Sequence, residues 1–483
     1  MRTDLQIFSF LETADWVVFG LVLLVTLASV VYGNLRRHRL PESGEEADLL
    51  DLLIMGRRLT LPLFTATLVA TWYGGIFSVT EFTFDVGLYN WLTQGVFWYA
   101  AYLIFAFALV GRIRGSEAKT MPELLGTMFG PRSARLGAWL NLFNVLPITY
   151  VLMMGIFMQL LFGGNILIWM ALGMAGVTAY STIGGLRSVV YSDLIQFVVM
   201  CLSVALVIGF SMQTFGGLGW LRANPNIPEG HWKPMGAGIA WSTTLVWGFL
   251  ALGTLVDPNF YQRCLAAKDV KTARRGILFA TGVWVCFDFC TTFGALYALA
   301  TLPEAVSREA YLIYSVQLLP AGVRGFFLAG ILATILSTLD SYLFLSGTIA
   351  AYDLAPKKWK GNVAFHHLGT VAMAVVAVAG ASWFHLADLN LVDVWKIFGG
   401  YATACIFLPL MAGYIWPGKI SDRGFVNACE YGILLMTLHY LLRILLPGVE
   451  GLQTLEPFYS GLAGTLLGFW APAAKPGPPP PEA

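Results

Sequence analysis

Apolar residues along this chain are grouped in runs of about 20, separated by short polar stretches that carry most of the charge. Thirteen such runs fall at 15–33, 61–84, 90–111, 137–162, 165–182, 193–214, 238–256, 277–302, 323–350, 364–386, 394–416, 425–446 and 457–473. A helix crossing the hydrocarbon core needs about 20 apolar residues, because no water is present there to satisfy backbone groups left open. The pattern therefore predicts an all-α integral membrane protein of about thirteen transmembrane helices.

Composition agrees with the pattern. Hydrophobic residues make up 57% of the 483 and charged residues 12%, against roughly 25% charged in soluble domains; mean hydropathy is +0.69. No polar stretch is long enough to fold as a separate soluble domain, so residues 1–475 read as one transmembrane domain and 476–483, ending in PPPPEA, as a short proline-rich cytoplasmic tail. The first run follows Glu12 and Asp15, precedes Arg36, Arg37 and Arg39, and lacks a small-residue cleavage site, which reads as a retained helix. With the N-terminus outside and the C-terminus in the cytoplasm, about 22 of the 29 Lys and Arg residues lie inside, as the positive-inside rule requires. Arg112, Arg114, Arg132, Arg135, Arg263, Lys268, Lys271, Arg274, Arg275, Lys357, Lys358 and Lys360 weigh most in that choice. Topology thus accounts for the basic clusters, and a net charge of +1 points to no nucleic-acid partner. The six cysteines contain no CxxC pair and read as small buried hydrophobes.

Two runs contain helix-breaking sequence. ATWYGGIFS carries Gly74 and Gly75; the seventh run carries Gly248 and Gly253 and leads into Asp257-Pro258-Asn259. Broken helices at matching places in two inverted repeats form the binding sites of many secondary transporters, which makes about 61–214 and 238–416 the candidate halves. Packing of small residues between helices is the alternative use of such glycines. Charges within apolar runs are costly and tend to mark a pathway or a buried pair. Asp193, Asp288, Asp340 and Glu430 are the plainest cases; Glu81 and Asp85 read as solvated, and Asp257 and Asp353 as partners of nearby basic loops. His366 and His367 read as facing solvent or lipid headgroups.

Three ordered stretches carry a family resemblance: GGLRSVVYSDLIQ at 184–196, DPNFYQRCLAAKDVKTARRG at 257–276 and AGILATILSTLDSYLFLSGTIAAYDL at 329–354. They resemble the sodium:solute symporter family over roughly residues 50–420. The resemblance implies a leucine-transporter-type fold, a five-plus-five inverted repeat with one helix before it and two after. It also implies a sodium site formed by the carbonyls of Ala70 and Tyr73, the Thr334 carbonyl, and the hydroxyls of Ser337 and Thr338. The residues themselves suit that role. Positions 334, 337 and 338 share one helical face, and sodium, a hard cation, prefers oxygen ligands. Hydroxyls bonding one turn back along their own helix are the alternative. Where many members have a Gly-Pro-Gly-like stretch this chain reads SVTEFTFDVG, about two residues shorter.

The function so implied is sodium-coupled import of a small organic solute, with an amino acid or similar zwitterion favoured and a sugar, monocarboxylate or vitamin also compatible. Trp72, Tyr73, Tyr150, Trp247, Thr254 and Asp288 are expected near the solute, although aromatics in membrane helices also serve as packing or lipid-facing residues. Asp193, beside Arg187, is expected to assist sodium release or inner-gate closure, by meeting the departing ion or pairing with that arginine. Sodium is the sole ion and no cofactor is implied; the expected partners are the solute, sodium and the bilayer, with a monomer as the working unit. A solute sensor that does not transport is the alternative. An enzyme is not expected, since no nucleophile motif or metal-ligand spacing is present.

Overall fold

The computed structural model describes residues 7–37, 45–236, 238–356, 358–387 and 391–470. The side chains of Arg36 and Arg37, together with Arg39, Lys357 and the tail 476–483, fall outside that description. The described backbone is helical, with one isolated bridge between Leu59 and Ala267. In chain order the main helices are α1 (Thr13–Arg37), α2 (Glu45–Ile54), α3 (Leu61–Trp72), α4 (Ile76–Val86), α5 (Trp91–Gly115), α6 (Met121–Met128), α7 (Pro131–Phe162), α8 (Ile166–Thr182) and α9 (Gly184–Phe215). They continue with α10 (Trp241–Ala251), α11 (Pro258–Ala266), α12 (Val270–Thr301), α13 (Ser307–Leu318), α14 (Val323–Asp353), α15 (Val363–Leu386), α16 (Leu391–Ile415), α17 (Asp422–Leu445) and α18 (Pro457–Trp470).

Among the described residues nine helices are long and apolar enough to cross a bilayer, and α3 with α4 makes a tenth, bent by 58°. The remaining three expected runs fall on the shorter α8, α10 and α18. By length and composition, up to ten crossings are thus shown among the described residues, and the expected count of thirteen is not confirmed.

Burial sorts the helices into an interior and a lipid-facing rim. In α14, 94% of the most apolar window is buried, against 22% in α1 and in α15 and 28% in α17. The rim helices turn large apolar side chains outward, among them Leu21, Leu24, Val31, Leu368, Val375, Leu434 and Ile444. In water such a surface would be an aggregation liability; in lipid it is the solvated face. Glu430, by contrast with its expected intramembrane role, is exposed on α17.

Polar groups inside are tied across helices. The Asp15 carboxylate of α1 accepts from the backbone of Gly322 and Gly325 at 2.7 and 3.0 Å and faces Arg324 at 3.2 Å, so it caps the start of α14. Arg187 pairs with Asp51 of α2. The turn between α8 and α9 depends on Gly185, whose φ of +59° is open to glycine and strained for other residues. Near the opposite break, the amide of Leu59 donates to Ala266 and that of Lys268 to Leu59, both at 3.0 Å. These two bonds tether the start of α3 to the end of α11.

Candidate cation and solute site

α3 stops at Trp72, and the chain passes through Tyr73, Gly74 and Gly75 before α4 begins. Such a break withdraws the amide donors that the last carbonyls of α3 would otherwise meet. One of those carbonyls, Ala70, instead accepts from the hydroxyl of Ser337 on α14 at 2.9 Å. The same Ser337 Oγ lies 2.8 Å from the Ala333 carbonyl and 3.2 Å from the Thr334 carbonyl. One hydroxyl hydrogen cannot serve three acceptors at once, so the cluster is richer in oxygen than in protons. Thr338 Oγ1 joins it 3.3 Å from the Thr334 carbonyl, and all of these residues are fully buried. The Thr334 hydroxyl turns back to Ile331 at 2.6 Å, leaving its carbonyl as its contribution. Tyr73 adjoins the cluster in sequence and sends its side chain to Asp288.

The close approach of the two helices rests on Gly74. A Cβ there would overlap the Thr338 side chain and come within 2.8 Å of Tyr150 Cε1.

One turn further along both helices lies a fully buried polar network. Asp193 Oδ2 accepts from Thr67 Oγ1 at 2.5 Å and from Thr71 Oγ1 at 3.4 Å. Its arginine is not Arg187, which is engaged by Asp51, but Arg263, at 3.9 Å. The Arg263 guanidinium donates to Thr71 at 2.8 Å, Ser341 at 2.7 Å and Asn259 at 3.0 Å. It thereby joins the broken helix, α14 and its own α11. Asp340 completes the group, accepting from Tyr180 at 2.9 Å and Ser192 at 3.3 Å. Among the described residues, Asp193 Oδ1, Asp340 Oδ1 and Arg263 Nε have no hydrogen-bond partner. Arg263 was grouped by sequence with the basic loops. Burial of a four-residue-periodic polar face on α11, with Asn259 one turn before Arg263, is what removes it from solvent.

The second interruption is also present. After α10 the chain runs through a tight turn, Leu252–Val256, and an extended Asp257 before Pro258 opens α11. Asp257 Oδ1 accepts from the amides of Asn259 at 2.8 Å and Phe260 at 3.3 Å. It is a helix cap, not the partner of a basic loop. Asp353 likewise accepts from Thr120 at 2.6 Å. His366 is buried against Thr348 at 2.9 Å rather than facing solvent, and Cys286 is exposed rather than buried.

Beside the first break lies a cavity of about 110 Å³. Of the residues expected near a solute, Trp72, Tyr73, Tyr150, Trp247 and Asp288 line it; Thr254 is buried but does not. The cavity also takes in Trp98, Tyr102, Thr149, Trp284 and Tyr342, which sequence reasoning missed. Trp98 and Tyr102 are spaced i, i+4 on α5, a pattern visible in the sequence but indistinguishable there from packing. Asp288 of α12 is 7% exposed, and the hydroxyls of Tyr73 and Tyr99 donate to its two oxygens, one each. Thr291, three residues further along the same helix, bonds instead to the Phe287 carbonyl at 3.1 Å. Tyr73 thus stands between the oxygen cluster and the carboxylate in the cavity.

Residues 55–428 match the model of the Sodium:solute symporter family. Among curated proteins, a Sodium/glucose cotransporter of Vibrio parahaemolyticus is 26% identical over 343 residues, covering 62% of this chain and 60% of that one. A Sodium/pantothenate symporter of Escherichia coli (strain K12) is 25% identical over 409 residues, covering 78% of each. A Sodium/pantothenate symporter of Haemophilus influenzae is 25% identical, and the match spans 60% of its length. The chain thus spans about three fifths of two of these relatives. A solved structure of a Na⁺-coupled sialic acid symporter, substrate-bound and outward-open, superposes with a TM-score of 0.72 at 18% identity, covering 95% of this chain and 97% of that one. That likeness shows the fold.

Proposed function

Because the chain belongs to the Sodium:solute symporter family, we propose that it is a secondary active symporter that couples import of a small organic solute to sodium entry. The observation that carries this reading is the buried oxygen cluster at the helix break. Ala70 O, Thr334 O and Ser337 Oγ converge within about hydrogen-bond distance, and Thr338 Oγ1 and the Tyr73 carbonyl are the further ligands assigned to the ion. Such a set can replace the hydration shell of a hard monovalent cation without burying a carboxylate in contact with it.

Sodium bound there bridges α14 to the broken helix and favours the state in which the solute cavity is complete, so coupling is differential affinity between two states. Moving one charge through 100 mV contributes about 2.3 kcal/mol, and a tenfold sodium gradient about 1.4 kcal/mol. Together they sustain a solute ratio of several hundred, on the order of 10² to 10³. Asp193, with Arg263 across from it, is assigned to sodium release and closure on the inner side, with the N-terminus outside and the C-terminus in the cytoplasm. The protein works as a monomer without a bound cofactor. The carboxylate of Asp288 in the cavity favours an amino acid or similar zwitterion.

The test is solute uptake into proteoliposomes under an imposed inward sodium gradient, with radiolabelled amino acids, sugars and carboxylates. Accumulation above the outside concentration that collapses when sodium is equilibrated is the expected result. Binding of a solute with no movement across the membrane would make the protein a sensor instead.

A further inference from the structure

Resting on the symport reading, we infer that Tyr73 is a positioning residue: its side chain carries the state of the oxygen cluster to the solute cavity through the hydrogen bond to Asp288. Tyr73 is the first residue past the end of α3, with φ −100° and ψ 14°, in the sparsely allowed region between the regular conformations. Its backbone is held by the cluster from both sides. Three residues earlier the Ala70 carbonyl accepts from Ser337 at 2.9 Å, and one residue later Gly74 lies so close to Thr338 that a Cβ would meet Oγ1 at 2.4 Å. Its side chain is held by a different helix. The hydroxyl donates to Asp288 Oδ1 and lies 3.4 Å from Thr291 Oγ1, and the ring centroid is 4.0 Å from that of Phe287. All three partners belong to α12.

Sodium entering the cluster draws Ser337 Oγ and the Ala70 carbonyl to itself, and so shifts the end of α3 against α14. A residue tied to that end by its backbone and to α12 by its side chain transmits the shift. The phenol is a rigid lever with two side-chain torsions, so displacement of its backbone reaches the Asp288 carboxyl, which lines the cavity with Trp284 one turn earlier. A carboxyl oxygen accepts this bond whether the group is ionised or neutral. By linkage, occupancy of the cavity acts back on the ion through the same residue.

The test needs sodium alone. Thr149 lines the cavity from α7, and a Thr149→Cys thiol reports the state of the cavity by its rate of reaction with methanethiosulfonate ethylammonium. Protein without that substitution gives the background from Cys286, which is exposed. Sodium binding is read separately, as the rise in melting temperature in sodium chloride over potassium chloride. With Thr149→Cys alone, sodium should change the rate by about fivefold or more, the lower end of ordinary coupling between sites. Adding Tyr73→Phe keeps the ring and the backbone, so the rise in melting temperature should persist while the rate response falls to about twofold or less. Adding Asp288→Ala should remove the rate response equally, and the two together should do no more than either, because each breaks the same bond. An undiminished rate response in Tyr73→Phe, or a rate indifferent to sodium with Thr149→Cys alone, overturns the inference and leaves symport standing. Loss of the sodium-induced rise in melting temperature in Tyr73→Phe also overturns it, by making the hydroxyl a structural part of the ion site. No such rise in the native protein overturns the sodium reading, and this inference with it.

Discussion

Removing the Ser337 hydroxyl is the sharpest perturbation of the oxygen cluster. That hydroxyl donates to Ala70 at 2.9 Å and lies within 3.2 Å of two further carbonyls. When sodium enters, the same oxygen turns a lone pair to the ion, so Ser337→Ala costs the bound state one ligand and the free state one neutral hydrogen bond. An interaction with a charged partner is worth about 1.5–3 kcal/mol and a neutral hydrogen bond about 0.5–1.5 kcal/mol. The difference, about 1–1.5 kcal/mol, predicts a rise in half-saturating sodium of roughly five- to twelvefold. Thr338→Ala loses a longer and weaker bond in the free state, 3.3 Å to Thr334, so its penalty should be at least as large. In Ser337→Ala helix packing changes little, since an oxygen is lost and the Cβ stays; Thr338→Ala also removes a buried methyl group. The assay is uptake against sodium concentration for both variants, with the amount of protein in the membrane measured in parallel. Solute affinity at saturating sodium should recover, because the two ligands are coupled through one conformational equilibrium. Half-saturating sodium unchanged in both variants would refute the site, and equal uptake driven by protons alone would refute sodium as the coupling ion.

Three further outcomes follow from the geometry. Gly74→Ala places a Cβ against Thr338 and Tyr150, and overpacking of that kind costs about 1–3 kcal/mol; thermal unfolding in detergent should show reduced stability, and the rise in melting temperature with sodium expected of the native protein should be lost. Asp193→Asn should slow sodium-driven uptake with normal expression, and uptake with unaltered rate and sodium dependence would remove Asp193 from the mechanism. Arg263→Ala strips the counter-charge from a buried carboxylate and should destabilise the protein by about 3–5 kcal/mol. Stability restored in Arg263→Ala by also replacing Asp193 with Asn would identify the pair as the source of the loss.

The membrane class, the helical runs and both helix interruptions were legible in the sequence because each depends on local properties. Apolar length answers to bilayer thickness, Gly74-Gly75 and Asp257-Pro258 disfavour continuous helix where they stand, and Ser337 and Thr338 share a face by helical period alone. Partners were not legible in that way. Asp193 stands six residues from Arg187, yet Arg187 pairs with Asp51 and Asp193 faces Arg263. Asp288 had Thr291 and Thr292 within one turn, yet its donors come from Tyr73 and Tyr99, 215 and 189 residues away. Inside a membrane every polar group needs a partner, but a helix offers its side chains outward to neighbours that only the packing of the bundle selects. The solute cavity is of the same kind: its aromatic wall is drawn from α3, α5, α7, α10, α12 and α14, and no spacing along any one helix could tell a ring that faces the cavity from one that faces lipid.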